Sequence, residues 1–134
     1  MKRTFFISVF TTLVLFLTGI NVSAQNAKKE SANKPLIEVI QFHSEHRCVT
    51  CNLIEKLTRE AIKTNSDVTF KLVNVDDKKN DKLAEQFEAS GTALFLYNPK
   101  TGKKKDLTDF AFMNARNNAE KFKETVNKEI KNLK

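Results

Sequence analysis

The chain has 134 residues, with two cysteines, no tryptophan and a formal charge of +7, which is room for one domain rather than two. Hydrophobic residues make up 40% and charged residues 29%, a balance that excludes wholesale disorder. Three glycines and two prolines are too few for collagen-like or low-complexity repeats, and too few for the many turns of an all-β sandwich.

The first 24 residues have the three-part layout of a secretory signal peptide. The basic start Met1–Arg3 is followed by an almost wholly apolar run, Phe5–Ile20, and then by the small-residue sequence Val22-Ser23-Ala24. The apolar run is shorter than the roughly 20 residues that a transmembrane helix needs, which favours cleavage after Ala24 over an uncleaved anchor. We therefore predict a cleaved signal peptide at 1–24 and a periplasmic or otherwise exported protein, which meets the membrane only through that signal.

Without these 24 residues the chain is 110 residues long, and 21 basic against 16 acidic side chains leave a charge of +5. A domain of that length can bury an adequate core without disulfide crosslinks. The positive charge is scattered, and the cluster Lys103–Lys105 is typical of a solvated turn. Together with export, this distribution argues against a nucleic-acid partner.

The mature chain predicts a leader followed by one domain. Residues 25–35 are polar and small and show no periodicity, which is typical of a flexible leader. The domain spans residues 36–134, and its apolar runs predict strands at 36–42, 68–75, 93–97 and 103–110. Apolar residues at helical spacing predict helices at 49–65, at about 77–88 and from 114 to the end.

The order of these elements, β-α-β-α-β-β-α, defines an α/β fold class. The first two strands are joined by a helix and should run parallel, whereas the last two are joined by the turn Asn98–Gly102 and should form a hairpin. The dense apolar pattern of 68–75 predicts a central strand, and 103–110 is predicted as an edge strand. One mixed four-stranded sheet flanked by helices accommodates all of them.

The cysteines, Cys48 and Cys51, form a Cys-x-x-Cys sequence between the first predicted strand and the first predicted helix. A helix N-terminus carries partial positive charge and unpaired N–H groups, which favour a thiolate on Cys48. The neighbouring cations His46 and Arg47 act in the same direction. Helical geometry brings Cys51 within disulfide reach. We predict that Cys48 is the acidic nucleophile and that the more buried Cys51 resolves the mixed disulfide.

The stretch Val39–Glu55 resembles the thioredoxin superfamily in its apolar strand, aromatic residue, short loop, Cys-x-x-Cys and helix. Two later stretches, Phe70–Asp76 and Gly91–Tyr97, resemble the family's second strand, which ends in Val-Asp, and the hairpin that faces the cysteines. The resemblance covers about residues 36–133. It implies a thioredoxin-like three-layer fold and an exported thiol–disulfide oxidoreductase with a redox-active disulfide.

The chain departs from this family between and before its cysteines. Arg47 stands where the family usually has tryptophan, and Val49-Thr50 stands where it usually has Gly-Pro. The dipeptide between the cysteines tunes the reduction potential of the family's members. The resemblance therefore implies an exchange couple, and leaves open whether that couple acts as a reductant or as an oxidant.

Two further departures lie on other segments. Many members of the family carry a buried carboxylate on the strand before the cysteines, where this chain has Gln41, so that Glu45 or water would carry the proton of Cys51. The family's cis-proline is replaced by the sequence Ser90-Gly91-Thr92. Because a cis peptide is costly without proline, we expect Gly91 to supply an unusual trans backbone there, with Thr92 beside it.

More narrowly, the segment Phe42-His43-x-x-x-Arg47-Cys48-x-Thr50-Cys51 resembles a small exported thioredoxin-like group. That group is labelled as a subunit of a nitrophenyl-compound (aromatic nitro or arsenic) reductase system. The resemblance implies a redox partner role, with a protein thiol or disulfide or a redox subunit as the partner. We expect the chain itself to be a monomer. The sequence has no flavin or nicotinamide motif and hence no cofactor of its own, so any nitro or arsenical reduction would need a partner subunit.

Alternative readings of the cysteines and histidines stay open at this point. The cysteines could form a structural disulfide in an oxidising compartment, although the small loop they close gives little entropic gain. Together with His43 and His46, Cys48 and Cys51 could bind zinc or copper, or trivalent arsenic as the resemblance implies. The chain would then be a non-enzymatic binding or accessory subunit. The apolar segment Phe110–Met113 is predicted as core rather than as an exposed docking patch.

Overall fold

The computed structural model describes residues 36–134, so the predicted signal peptide and leader lie outside the described residues. Within that range the chain forms four strands and four α-helices, namely β1 Ile37–His43, α1 Val49–Ile62, β2 Val68–Asn74, α2 Asp81–Phe87, β3 Ala93–Tyr97, β4 Lys104–Asp106, α3 Thr108–Asn114 and α4 Ala119–Leu133. None of the helices found from residue 36 onward is long and apolar enough to cross a membrane.

The strands form one mixed sheet in the order β2-β1-β3-β4. β1 and β2 are parallel and joined through α1, whereas β3 runs antiparallel to both β1 and β4. This is the α/β class with a mixed four-stranded sheet that the sequence predicts. The prediction that β2 is central is wrong, because β2 is an edge strand and the mostly buried β1 lies between β2 and β3. On β2 the residues Thr69 and Lys71 are exposed, and Leu72 is 37% exposed.

Helices cover both faces of the sheet, which gives three layers. On one face, alternate residues of β1 and β3 pack against α1, α3 and α4, and Ile54, Phe122 and Val126 are central to that core. The other face packs against α2 and the segment after it through Ile40, Phe42 and Phe87, among others. Since successive strand residues point to opposite faces, β1 contributes side chains to both cores.

The core beneath α2 is built largely from aromatic rings. Phe87 of α2 lies with its ring centroid 5.5 Å from that of Phe42, 5.2 Å from that of Phe95 and 5.4 Å from that of Tyr97. The tilted and edge-to-face angles are those that aromatic pairs prefer. Lys104 of β4 lies over the Phe87 ring, 5.5 Å from its centroid. Phe87 therefore links α2 to three aromatic rings of the sheet.

The C-terminal part differs from the predicted strand 103–110 and single long helix. β4 is only three residues long, and the extra helix α3 follows it directly. Leu107, Ala111 and Ala115 are buried at helical spacing, so the pattern that favoured a strand belongs to a helix of 3.6-residue period. The chain then breaks before α4, whose first turn is capped by the side chain of Asn118, which accepts from the N–H of Lys121 at 3.0 Å.

The segment Phe110–Met113 is divided between the core and the surface because it is helical. Ala111 is buried, and the ring of Phe110 stacks on that of Phe122 with centroids 6.1 Å apart. Phe112 and Met113 point the other way and are 39% and 64% exposed. The predicted burial thus holds for the first two residues and is wrong for the last two.

Replacing the central ring, Phe87→Ala, should lower the free energy of unfolding by about 3–5 kcal/mol, because it leaves a cavity among three other aromatic rings. Urea denaturation followed by circular dichroism measures this change. The matched control is Phe112→Ala, which truncates a partly exposed ring and should cost about 0.5 kcal/mol or less. Equal losses in the two variants would contradict the aromatic packing described here.

Candidate active site

The site lies where the chain passes from the carboxyl end of β1 into α1. Cys48 is the N-cap of α1, with an extended backbone at φ −76° and ψ 160°. Its Sγ atom accepts a hydrogen bond from the backbone N–H of Cys51 at 3.0 Å, and its carbonyl accepts from the N–H of Asn52 at 3.1 Å. A cysteine sulfur thus takes the capping position that serine, threonine or aspartate usually fills.

Cys48 and Cys51 are joined in a disulfide, with their Cα atoms 5.1 Å apart. The two sulfur-bearing residues are unequally accessible, because Cys48 is exposed and Cys51 is only 3% exposed. Val49, which lies between them, is 78% exposed. A second molecule can therefore approach Cys48 from solvent while Cys51 stays covered by protein.

Two polar contacts fix the buried half of the disulfide. The amide of Gln41 on β1 donates from Nε2 to the carbonyl oxygen of Cys51 at 2.9 Å. On the other side, the hydroxyl of Thr92 lies 3.5 Å from the Sγ atom of Cys51. Both residues were singled out in the sequence, and both meet Cys51. Gln41 is fully buried, and within residues 36–134 its Oε1 atom has no hydrogen-bond partner.

The positive charge of Arg47 is paired, because the carboxylate of Glu55 binds its guanidinium group. Nη2 of Arg47 lies 2.6 Å from one carboxylate oxygen of Glu55, and Nε of Arg59 lies 2.9 Å from the other. Arg59 in turn stacks over the ring of Phe70 at 4.3 Å. The carboxylate therefore weakens the stabilisation that Arg47 was expected to give a Cys48 thiolate. The positive end of α1 remains to stabilise that thiolate.

The remaining sequence-predicted residues of the loop lie farther from the buried sulfur. Glu45 is exposed, and its backbone N–H donates to the carboxylate of Asp76 at 2.7 Å, which ties the loop to the end of β2. Across residues 36–134, no hydrogen bond joins the Glu45 carboxylate to Cys51. His46 is exposed, and Nδ1 of His43 donates to the carbonyl of Ser44 at 2.7 Å.

The four potential ligands His43, His46, Cys48 and Cys51 are not assembled into a metal site in this disulfide form. In the part of the chain that the structure describes, no group of three or more His, Cys, Asp or Glu side chains is arranged to hold a metal ion. The sulfur atoms of both cysteines are bonded to each other, whereas a metal needs thiolates.

The prediction that Gly91 supplies an unusual backbone is wrong. Within residues 36–134 there is no cis peptide, and positive φ angles occur only at Glu88 (54°) and Gly102 (73°). A Cβ atom on Gly91 would meet nothing within 4 Å. The left-handed residue of this connection is Glu88, which ends α2.

A cleft of about 550 Å³ opens on the α2 face of the sheet beside the segment that precedes β3. Gly91 and Thr92 line one side, the rings of Phe87 and Phe95 also border it, and Lys104 is among its charged residues. Thr92 thus belongs both to this cleft and to the surroundings of Cys51. The cleft combines apolar and charged walls directly next to the residue that contacts the disulfide.

Glu55 and Asp76 make contacts around the site that the sequence analysis missed. The pair Glu55–Arg59 could have been found from its four-residue helical spacing. The contacts of Glu55 with Arg47 and of Asp76 with the backbone of Glu45 depend on how the loop folds back. No sequence spacing signals them.

Comparison with protein-family models finds no match, and comparison with curated proteins finds none either. Among solved structures, the chain is similar to one described as the structure of a malarial protein. The two share 21% sequence identity with a TM-score of 0.41, over 57% of this chain and 92% of that one. This likeness carries no conclusion about activity.

Replacing the carboxylate that binds Arg47 and Arg59, Glu55→Gln, should lower the free energy of unfolding by about 1–2 kcal/mol at neutral pH, because both ion pairs lose their negative charge and one acceptor oxygen is lost. Partial burial raises the pKa of Glu55, but hydrogen bonds from Arg47 and Arg59 together bring it below the usual 4.5. A lowered pKa stabilises the fold fully above pH 4.5, and this contribution is lost as the pH falls through the folded-state pKa.

Urea denaturation across pH 2–7 tests the Glu55 contribution. The difference between the wild type and Glu55→Gln should be constant near neutral pH and shrink in acid. The control is Glu124→Gln, which neutralises an exposed glutamate of α4 and should leave stability nearly unchanged. A stability difference that grows as the pH falls would contradict the ion pairs of Glu55 with Arg47 and Arg59.

Proposed function

We propose that the protein is an exported thiol–disulfide oxidoreductase of thioredoxin-like fold, in which Cys48 is the nucleophile and Cys51 the resolving cysteine. The observation that carries this proposal is the asymmetric disulfide at the N-terminus of α1. One sulfur-bearing residue is exposed and the other is 3% exposed. An exchange reaction needs one accessible sulfur and a second within reach of it.

The reaction written for the reduced form is two successive thiol–disulfide exchanges. The Cys48 thiolate attacks one sulfur of a partner disulfide, forms a mixed disulfide and releases the other partner sulfur as a thiolate. Cys51 then loses its proton and attacks Sγ of Cys48, which forms the internal disulfide and releases the second partner sulfur. The partner gains two electrons and two protons, and the dithiol loses them. The same steps run backwards when the partner is a dithiol.

Local geometry supports Cys48 as the first attacking sulfur. Its Sγ atom already accepts the backbone N–H of Cys51, and hydrogen bonds to a thiolate favour the charged form. The same N–H group and the helix N-terminus stabilise Cys48 as the leaving thiolate when an external thiol opens the disulfide. Cys51 is buried and held by its carbonyl group, so it is suited to an intramolecular attack.

The surface around Cys48 suits a protein thiol or disulfide as partner. The apolar side chain of Val49 is 78% exposed beside the accessible sulfur, and the cleft lined by Thr92 lies next to the buried one. A purely structural disulfide would gain little here, since the bond closes a loop of very few residues.

The exported location is part of the proposal and rests on the signal-like sequence of residues 1–24. The thioredoxin-like assignment rests on the sequence resemblance and is supported by the parallel pair β1–β2, the antiparallel strands β3 and β4, and helices on both faces. Export and exchange chemistry are mutually consistent, because disulfides form and persist in oxidising compartments.

Removal of the resolving sulfur, Cys51→Ser, should trap mixed disulfides through Cys48. The partner then remains attached, because the second exchange cannot occur. Non-reducing gel electrophoresis of the exported protein, followed by mass spectrometry of the cross-linked peptide, measures the trapped species. The control Cys48→Ser should trap far less, since its one thiol is buried. Trapping that is equal in the two variants, or absent from both, would contradict the assigned roles.

Equilibration of the wild type in glutathione or dithiothreitol buffers should give one reversible two-electron transition between roughly −300 and −120 mV. Alkylation of free thiols followed by intact mass measurement counts the reduced cysteines at each potential. The position of the midpoint separates a reductant from an oxidant. A disulfide that stays closed throughout this range would favour a structural bridge and refute the exchange function.

A further inference from the structure

The amide of Gln41 is half satisfied in the disulfide form. Its Nε2 atom donates to the carbonyl of Cys51 at 2.9 Å, whereas Oε1 is buried without a partner within residues 36–134. The side chain as a whole is 0% exposed. A buried acceptor that lacks a donor is costly, and the amide cannot be flipped to relieve it, because its oxygen would then face the carbonyl of Cys51.

The cross-strand partners of Gln41 cannot supply the missing donor from their side chains. On the sheet, Gln41 pairs with Leu72 of β2 and with Leu94 of β3, and these side chains carry no polar atoms. The residue that does contact the Gln41 amide is Cys51. In the disulfide, the sulfur of Cys51 has no proton to donate. A thiol at this position does, since S–H is a donor.

We propose that Gln41 is a redox-linked positioning residue whose Oε1 atom accepts a hydrogen bond from the thiol of Cys51 once the disulfide is reduced. This inference rests on the proposed exchange function. Reduction breaks the bond between the two sulfurs and lets Sγ of Cys51 rotate about χ1 toward the amide. The acceptor that is unpaired in one redox state is paired in the other.

The balance of the step is that of an ordinary reduction. A small dithiol such as dithiothreitol gives two electrons and two protons to the disulfide and becomes a cyclic disulfide itself. One of the two protons is carried by Sγ of Cys51 and is shared with Oε1 of Gln41. Because this bond exists only in the dithiol, it shifts the equilibrium toward the dithiol. The Nε2 bond to the Cys51 carbonyl involves no sulfur, so its contribution cancels.

The first test compares reduction potentials. Gln41→Met keeps the length of an unbranched side chain and removes the amide, and we expect the exchange constant with glutathione to move about tenfold toward the disulfide. That factor is about 30 mV in a two-electron couple. If this variant fails to fold, Gln41→Asn keeps an amide but shortens its reach, and the same direction of shift is expected.

Thr58 provides a matched control for the potential. Its hydroxyl oxygen is also buried and without a partner within residues 36–134, and it is on α1 about 10 Å along the helix from Cys51. Thr58→Val therefore removes a second unpaired polar atom that is not in contact with the disulfide. Its potential should equal that of the wild type. A shift in Thr58→Val as large as that in Gln41→Met would overturn the proposal.

The second test observes the hydrogen bond directly. In a Cys48→Ser background Cys51 is the one thiol, and its S–H stretch can be followed by infrared spectroscopy. A hydrogen-bonded S–H absorbs at lower wavenumber, so adding Gln41→Met should move the band up. The hydroxyl of Thr92, 3.5 Å from the Cys51 sulfur, is the competing acceptor. A band that moves with Thr92→Val and not with Gln41→Met would overturn the assignment to Gln41.

The two proposals fail in distinguishable ways. An unchanged potential and an unchanged S–H band in Gln41→Met, with partner trapping by Cys51→Ser intact, would defeat the role of Gln41 alone. A Gln41-dependent band and potential, with no partner trapped, would support that role and defeat the exchange function alone.

Discussion

The candidate active site depends on one capping interaction, in which the sulfur of Cys48 accepts a hydrogen bond from the backbone N–H of Cys51. This bond begins α1 and places the sulfur of Cys48 at the N-terminus of the helix, which is its positive end. The same residue is covalently bonded to Cys51. Helix capping and redox chemistry are therefore served by the same atoms, and a change at Cys48 affects both.

The sheet restrains the other cysteine of the site, Cys51. β1 is central, and Gln41 reaches from it to the carbonyl of Cys51, while Thr92 approaches from the segment that precedes β3. The ion pair of Glu55 with Arg47 fixes the loop between β1 and α1 on its outer side. Three elements thus restrain the buried cysteine and its loop, and the accessible cysteine is left with solvent on one side.

Much of this could be predicted from the sequence because local patterns determine it. The Cys-x-x-Cys spacing, the apolar run of β3 and the helical stripe of Phe122, Val126 and Ile130 each carry their own signal. The position of β2 at the edge could not be predicted, since burial depends on which strand pairs with which. Helix α3 could not be predicted either, because the few residues that follow the turn fit a strand as well as a helix. Nor does the sequence signal that the left-handed residue between α2 and β3 is Glu88 rather than Gly91, because glycine is the usual residue in that conformation.

The outer edges of the sheet carry a consequence for how the molecule behaves among its own copies. β4 offers only three residues, all exposed, and two of them are lysines. On the opposite edge, the ammonium group of Lys71 is paired with Glu38 at 2.9 Å. The β4 edge is short and charged, which makes it a poor template for strands of other chains, whereas β2 has seven residues and relies on its charged and polar side chains. The β4 edge of the described domain is therefore a poor site for strand pairing between copies of the chain.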